Sequence, residues 1–176
     1  MQGFTRSYEG ILPTISSNVF IAETAAIIGD VQIGNNSSVW FGCTVRGDVN
    51  KIRIGKFTNI QDGTCIHVTR KLHSTIIGNY VTVGHMALLH GCELREYSFV
   101  GMGATVMDGA IVESYAMVAA GALVTPGKTV PTGQLWAGSP ARYMRDLTAQ
   151  EMEHMEVLAN SYAALAGQFI SECDVT

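Results

Sequence analysis

An aliphatic residue recurs at every sixth position through most of this chain. The series runs Ile21, Ile27, Ile33, Val39, Val45, then Ile54, Ile60, Ile66, then Ile77, Val83, Leu89, and finally Leu94, Val100, Val106, Val112, Val118 and Val124. All 17 positions are Ile, Val or Leu. An amphipathic helix repeats apolar residues at three and four, and a half-buried strand at two. A period of six fits neither. It fits a parallel β-helix in which each hexad is one short strand and a turn, and three hexads close a triangular coil of about 18 residues. The aliphatic side chain then points into the prism and stacks on its equals above and below. The chain has 19 glycines. Gly often follows the aliphatic residue directly, as at Gly34, Gly55, Gly78, Gly84 and Gly101. Gly or Asn at the corners supplies the positive-φ conformations of sharp turns.

The series breaks three times. Val45 to Ile54 is three residues too long, which predicts a bulge over 47–51. Ile66 to Ile77 is five too long, which predicts a loop over 69–74, and Leu89 to Leu94 is one short. Loops ejected from a rigid scaffold are where function concentrates. After the prism, TPGKTVPTGQLWAGSPARYMRDL turns the chain. Thr148 and Glu151 then form a capping box, and Met152, Met155, Leu158, Ala159, Tyr162, Leu165, Ala166 and Phe169 follow at helical spacing. The reading is an all-β solenoid over 1–130, with a turn and a C-terminal α-helix over 131–176 packed on it as one domain.

With the inserted residues subtracted, His67 and His90 lie one coil apart and occupy equivalent outward positions, with Arg46 one coil before His67. His85 lies two residues after Val83 on the neighbouring face, one coil above Gln61 and Asp62. Three histidines with a fourth position open suit a catalytic zinc. One prism does not swing His85 round a corner to join the others, but two packed side by side bring the faces together. Such a contact is heterologous, and closed symmetry predicts a ring, most naturally a homotrimer with its metal between subunits. Arg46 of one subunit would then face Asp62 of the next. Gln61, beside the metal, is placed to hold bound water. Asp48 either caps its turn or orients Arg46. His73 in the loop and His154 on the helix read as solvated.

These residues resemble the γ-class carbonic anhydrases and their bacterial homologues. The resemblance is carried by SVWFGCTVRGDVNKIRIGKFTNIQDGTCIHVT, IIGNYVTVGHMALLHGC, VGMGATVMDGAIV and AGSPAR, and it extends from the first hexads to Tyr162. RGD, NIQDG and H-x17-H-x4-H together are specific; the hexad alone is shared with many acyltransferases. The resemblance implies a left-handed β-helix, a trimer, and a metal at each subunit interface, bound by His67, His85 and His90. It implies that Gln61 hydrogen-bonds the metal hydroxide, that Asn59 orients Gln61, that Arg46 and Asp62 form the intersubunit pair with Asp48 beside Arg46, and that Tyr162 closes over the site. One departure stands out. The family's founding archaeal member has a glutamate after the RGD-type aspartate and another in the following loop, for proton transfer. Here the first position is Val49, and the loop VTRKLHS holds no acid.

The expected reaction is reversible hydration of CO2 to bicarbonate. Zinc is the expected ion, with cobalt or iron(II) also compatible with imidazole. Proton export falls to His73 or buffer. Two alternatives remain: a hexapeptide acyltransferase using acetyl-CoA, which shares the prism and the turn at 138–141, and a metal-binding trimer serving as a scaffold. A net charge of −4 without a basic stripe argues against nucleic acid. No run of 18 apolar residues predicts a membrane span, and the start lacks the apolar run of a signal peptide. The expected compartment is the cytoplasm. Cys43, Cys65, Cys92 and Cys173 lack CxxC spacing and read as reduced, buried small residues, without excluding a disulfide.

Overall fold

The computed structural model describes residues 3–173. The chain winds into a left-handed parallel β-helix of about seven turns, followed by one helix. The first face stacks Cys65–His67, Leu88–His90, Thr105–Val106 and Leu123–Val124 on the start of the long strand Thr44–Ile54. The second stacks Thr75–Ile77, Glu93–Leu94, Ile111–Val112 and Thr129–Val130 on the end of that same strand, which turns the corner. The third runs Phe20–Ile21, Ser38–Val39, Asn59–Ile60, Thr82–Val83, Phe99–Val100, Met117–Val118 and Gln134–Ala137.

Every aliphatic residue of the hexad series is buried, none exposing more than 5%. Two residues earlier in eight of the 17 hexads stands a second inward residue, an Ala or Cys and equally buried: Ala25, Cys43, Ala87, Cys92, Ala104, Ala110, Ala116 and Ala122. In other coils the same position holds Val31, Ile52 and Val81, equally buried. Burial pushes the thiol of Cys43 up to about 11 and that of Cys92 up to about 12. Cys65 corrects the expectation of burial: it precedes Ile66 in its strand, and the period of two turns it outward, exposed. No disulfide links Cys43, Cys65 and Cys92; the Cys173 side chain lies outside the described residues.

The glycines that follow the aliphatic residues need their missing Cβ for a different reason than φ. A Cβ on Gly55 would stand 2.5 Å from the Gly78 carbonyl oxygen of the next coil, and one on Gly101 2.4 Å from the Ala120 nitrogen. Positive φ falls instead on other corner residues. Between the second and third faces these are Asn18, Asn36, Phe57, Tyr80, Tyr97 and Tyr115. The last four stack ring on ring at 4.9 Å, nearly parallel.

Both insertions leave the prism where the spacing places them. Gly47 still pairs with Gly29 and Ile52 with Val31, so residues 48–51 bulge opposite the single residue Asp30. The 69–74 loop separates the strands Cys65–His67 and Thr75–Ile77 and is pinched by Thr69 N–H donating to the His73 carbonyl at 2.9 Å. At the far end the parallel ladder continues beyond residue 130. Val130 is buried six residues after Val124, and Gln134–Ala137 pairs in parallel with Met117–Val118 before hairpinning to Arg142–Asp146.

The helix Ala149–Cys173 begins with a reciprocal cap. The Thr148 hydroxyl accepts from Glu151 N–H at 3.2 Å, and a Glu151 carboxylate oxygen accepts from Thr148 N–H at 2.9 Å. The helix packs back along the third face, burying Met155, Ala159 and Ala166 and setting Tyr162 and Phe169 against Trp40. Leu165 is turned about 100° from Ala166 and is 39% exposed, outside the stripe expected of it.

Candidate metal centre

The strand register sets His67 directly beside His90 on the first face. The two imidazoles approach through His67 Nδ1 and His90 Nε2, 3.1 Å apart. Each ring is held from behind by a carboxylate. His67 Nε2 donates to Asp48 Oδ1 at 2.9 Å, and His90 Nδ1 donates to Asp108 Oδ1 at 2.5 Å. An ionised carboxylate only accepts, so each far nitrogen carries its ring's proton. Both near nitrogens therefore present lone pairs to one point. Two ligands on a tetrahedral zinc with bonds of 2.0–2.1 Å stand about 3.3 Å apart, so the pair fits two positions of such an ion.

Asp48 reaches this column from the 48–51 bulge, where it also accepts from Arg46. Burial works to raise its pKa, but the hydrogen bonds from His67 and Arg46 outweigh it and hold the carboxyl below its usual value. Asp48 thus orients both Arg46 and His67, more than the sequence reading asked of it. Asp108 shows the same balance: burial raises it, while Thr69 and His90, donating to it, bring it below the ordinary range.

His85 sits on the corner after Thr82–Val83, stacked over Asp62, and its Nδ1 lies 2.9 Å from Asp62 Oδ2. The side chain is 40% exposed. Thus all three histidines have an aspartate carboxylate beside one ring nitrogen, the arrangement that fixes ring orientation in metal sites. Yet within one chain, among the described residues, no three His, Cys, Asp or Glu side chains converge to hold a metal. His67 and His90 are together; His85 is apart, with Asp62.

Beside His85, a buried polar relay runs inward. Gln61 Nε2 donates to Asn59 Oδ1 at 3.0 Å, and Asn59 Nδ2 donates to Thr82 Oγ1 at 2.9 Å. Gln61 and Asn59 are both buried. This fixes the Gln61 amide with its nitrogen inward and its Oε1 available as an acceptor. Tyr162 comes from the helix to lie edge-on to Trp40 at 5.7 Å; burial and the nearby Asp62 charge raise its hydroxyl. His154 is exposed on the helix, as expected. His73, expected to be solvated, is only partly exposed, with its ring against Gly109.

Three contributors escape the sequence reading: Asp108, Thr69 and Thr82. Asp108 does not stand level with His90; Leu89 pairs with Val106, so Asp108 is level with Gly91 and reaches back. The signal for it was the hexad one residue short between Leu89 and Leu94, which shifts this coil by one.

The comparisons with known proteins point the same way. Residues 13–47 match the family model "Bacterial transferase hexapeptide (six repeats)". The Arabidopsis thaliana protein named "Gamma carbonic anhydrase 2, mitochondrial" is 49% identical over 91% of this chain. This chain spans about three fifths of the length of that relative (59%). The "Probable carbonic anhydrase" of Methanocaldococcus jannaschii is 46% identical over 86% of this chain and 95% of its own. Among solved structures, a hexapeptide transferase family protein from Anaplasma phagocytophilum superposes with a TM-score of 0.92 at 46% identity, covering 96% of this chain and 99% of that one. A hexapeptide prism whose three aspartate-backed histidines stand on two faces, in a chain this similar to those relatives, belongs to the γ-class carbonic anhydrase family of hexapeptide-repeat proteins.

Proposed function

We propose that this protein hydrates CO2 reversibly to bicarbonate, as a homotrimer with a divalent cation, zinc by preference, between each pair of neighbouring subunits. The observation that carries this reading is the division of the donor set. His67 and His90 offer converging lone pairs on one face, and His85 stands on another. Two copies in heterologous contact complete a three-nitrogen site, and closure of that contact gives a ring. Exposed Met86, Leu88 and Met102 lie on and beside the first face, apolar surface that such a contact would cover.

A cation held on three imidazoles lowers the pKa of water to about 7, as it does in carbonic anhydrases generally. The chain's own residues do the rest. Asp48, Asp62 and Asp108 hold the protons off the ligating nitrogens. Gln61 presents Oε1 to accept the nucleophile's hydrogen and so aims its lone pair at the CO2 carbon, with Asn59 and Thr82 preventing the amide from flipping. Arg46, already against Asp48, pairs with Asp62 of the neighbouring subunit. Tyr162 lies near Asp62 of its own subunit and limits the volume beside the site. The proton released in each turnover leaves by His73, which faces Asp108 on one side and an open groove with Leu72, Ile76 and Glu93 on the other, or by direct transfer to buffer. Val49, packed at the bulge, offers no such group.

The test is complementation. His67→Ala and His85→Ala should each lose metal and activity. Subunits of the two variants, unfolded and refolded together in equal amounts, should regain one intact site in every mixed trimer, about a quarter of all sites. Failure of the mixture to regain metal would end the two-face reading. A fully metallated trimer without CO2 hydration at any buffer concentration would hand the site to another substrate.

A further inference from the structure

Asp108 joins the strand that carries His90 to the 69–74 loop. We propose that Asp108 is a positioning residue that sets the His90 ring for metal and ties it to the 69–74 loop, so that metal affinity and loop order are governed together. The proposal rests on reading His90 as a ligand.

Both carboxylate oxygens are engaged by different parts of the chain. Oδ1 accepts from His90 Nδ1 at 2.5 Å, and Oδ2 accepts from Thr69 Oγ1 at 2.6 Å. Asp108 reaches His90 only because Gly91 lies between them: a Cβ there would stand 2.5 Å from Asp108 Oδ1 and 2.7 Å from His73 Cβ, and its φ of 58° already disfavours other residues. Gly91 therefore marks the point where the ligand strand, the loop and the next coil meet. The other end of the loop is tied to the same place. Thr75 Oγ1 donates to the His67 carbonyl at 2.6 Å and accepts from Gly91 N–H at 3.0 Å. Thr69, through Asp108, and Thr75, through the His67 carbonyl and Gly91 N–H, thus tie both ends of the loop beside the two histidines.

The chemistry follows from a negative acceptor on the far nitrogen. It keeps the proton off Nε2, fixes the ring plane, and makes the near nitrogen a better donor. Because the same carboxylate needs the Thr69 hydroxyl, movement of the loop loosens the ring, and a ring held by metal in turn holds the loop.

The experiment uses the full-length, metal-free protein titrated with Co2+ against a competing chelator, with the visible cobalt spectrum and hydrogen exchange of residues 69–74 as readouts. Asp108→Ala should weaken Co2+ binding by about 10- to 100-fold, alter the spectrum, and speed loop exchange in the cobalt-loaded protein. Asp108→Asn, equal in size and still able to accept from His90, covers the case of an alanine variant that does not fold and should show a smaller loss. Thr69→Val should speed loop exchange and weaken Co2+ modestly. Wild-type affinity and spectrum in both Asp108 variants, while His90→Ala abolishes binding, would overturn this inference and leave the metal site standing. No Co2+ binding by the wild-type protein would overturn both.

Discussion

The interior of the prism and the outward column of its first face are built on opposite plans. Inside, Ile27, Val45, Ile66, Leu89, Val106 and Val124 succeed one another in register, every one doing what its neighbours do. Outside, one residue further along the same strands, Arg46 and His67 share Asp48 while His90 has Asp108. The interior is repetitive, so it tolerates insertions: the bulge at 48–51 and the loop at 69–74 pass out and the stack closes beneath them. The outward column depends on those interruptions. Asp48 reaches His67, and Thr69 reaches Asp108 behind His90, because each sits where the hexad is broken. Stability is thus spread along the axis, while chemistry collects at the irregular coils.

Substitution can break that contrast in either direction. The largest expected effect is on the interior. Ile66→Ala, fully buried in the middle of the stack, should cost about 2–5 kcal/mol in urea unfolding and leave the metal stoichiometry of the folded fraction unchanged. His85→Ala should do the reverse, abolishing most metal binding while the metal-free protein melts as the wild type does. A large fall in its melting temperature would erase the distinction. Gln61→Ala tests the place where the plans meet, since the residue is buried yet presents an acceptor outward. It should lower the hydration rate by at least about tenfold at every buffer concentration, and should also cost about 1–3 kcal/mol by leaving Asn59 Oδ1 without its donor. Val49→Glu should raise the rate only at low buffer, where proton export limits turnover.

Smaller effects sharpen the picture. Iodoacetamide should label Cys65 quickly and spare Cys43 and Cys92, whose thiols are buried and held protonated. The smallest effect concerns the helix cap. Arg145, with the Thr148 N–H, holds the Glu151 carboxyl down to about 2 from an ordinary 4.5. A carboxyl lowered in the folded state stabilises above its unfolded value, and that contribution is lost as pH falls from about 4.5 towards 2. Helicity of the wild type should therefore decline slightly across that window, whereas Glu151→Gln should start lower and stay flat. Parallel curves for the two would remove the cap from the account.

The interior was legible because repetition supplies many independent observations of one rule. Seventeen aliphatic positions located the strands, faces and both insertions. Register arithmetic then placed His67 against His90 and His85 against Asp62. What stayed hidden was set by single events. The helical stripe passes Leu165 by a rotation that spacing alone leaves undetermined. Val130 continues the series inside a Pro- and Gly-rich stretch that reads as a stop. Asp108 is found only by following a one-residue deficit into the next coil and seeing that Gly91 clears its path. Cys65 reads as buried by residue type and is exposed by the pleat. Each case depends on which way one side chain points, information that no period carries.

The ladder of Phe57, Tyr80, Tyr97 and Tyr115 gives the molecule a built-in optical gauge. Its rings lie nearly parallel at 4.9 Å, one per coil, along one corner of the prism. Chromophores this close absorb as a coupled set, and their signal depends on how many remain in line. Each ring also sits on backbone with positive φ, a posture held only while the coils on either side persist. Coils of a solenoid peel from its ends because each contacts only its neighbours. Tyr115 is nearest the C-terminal end and is moored to the helix through Glu156 at 2.6 Å. Detachment of that helix should therefore shorten the ladder from one known end, and the near-ultraviolet dichroism would record the direction in which the winding comes apart.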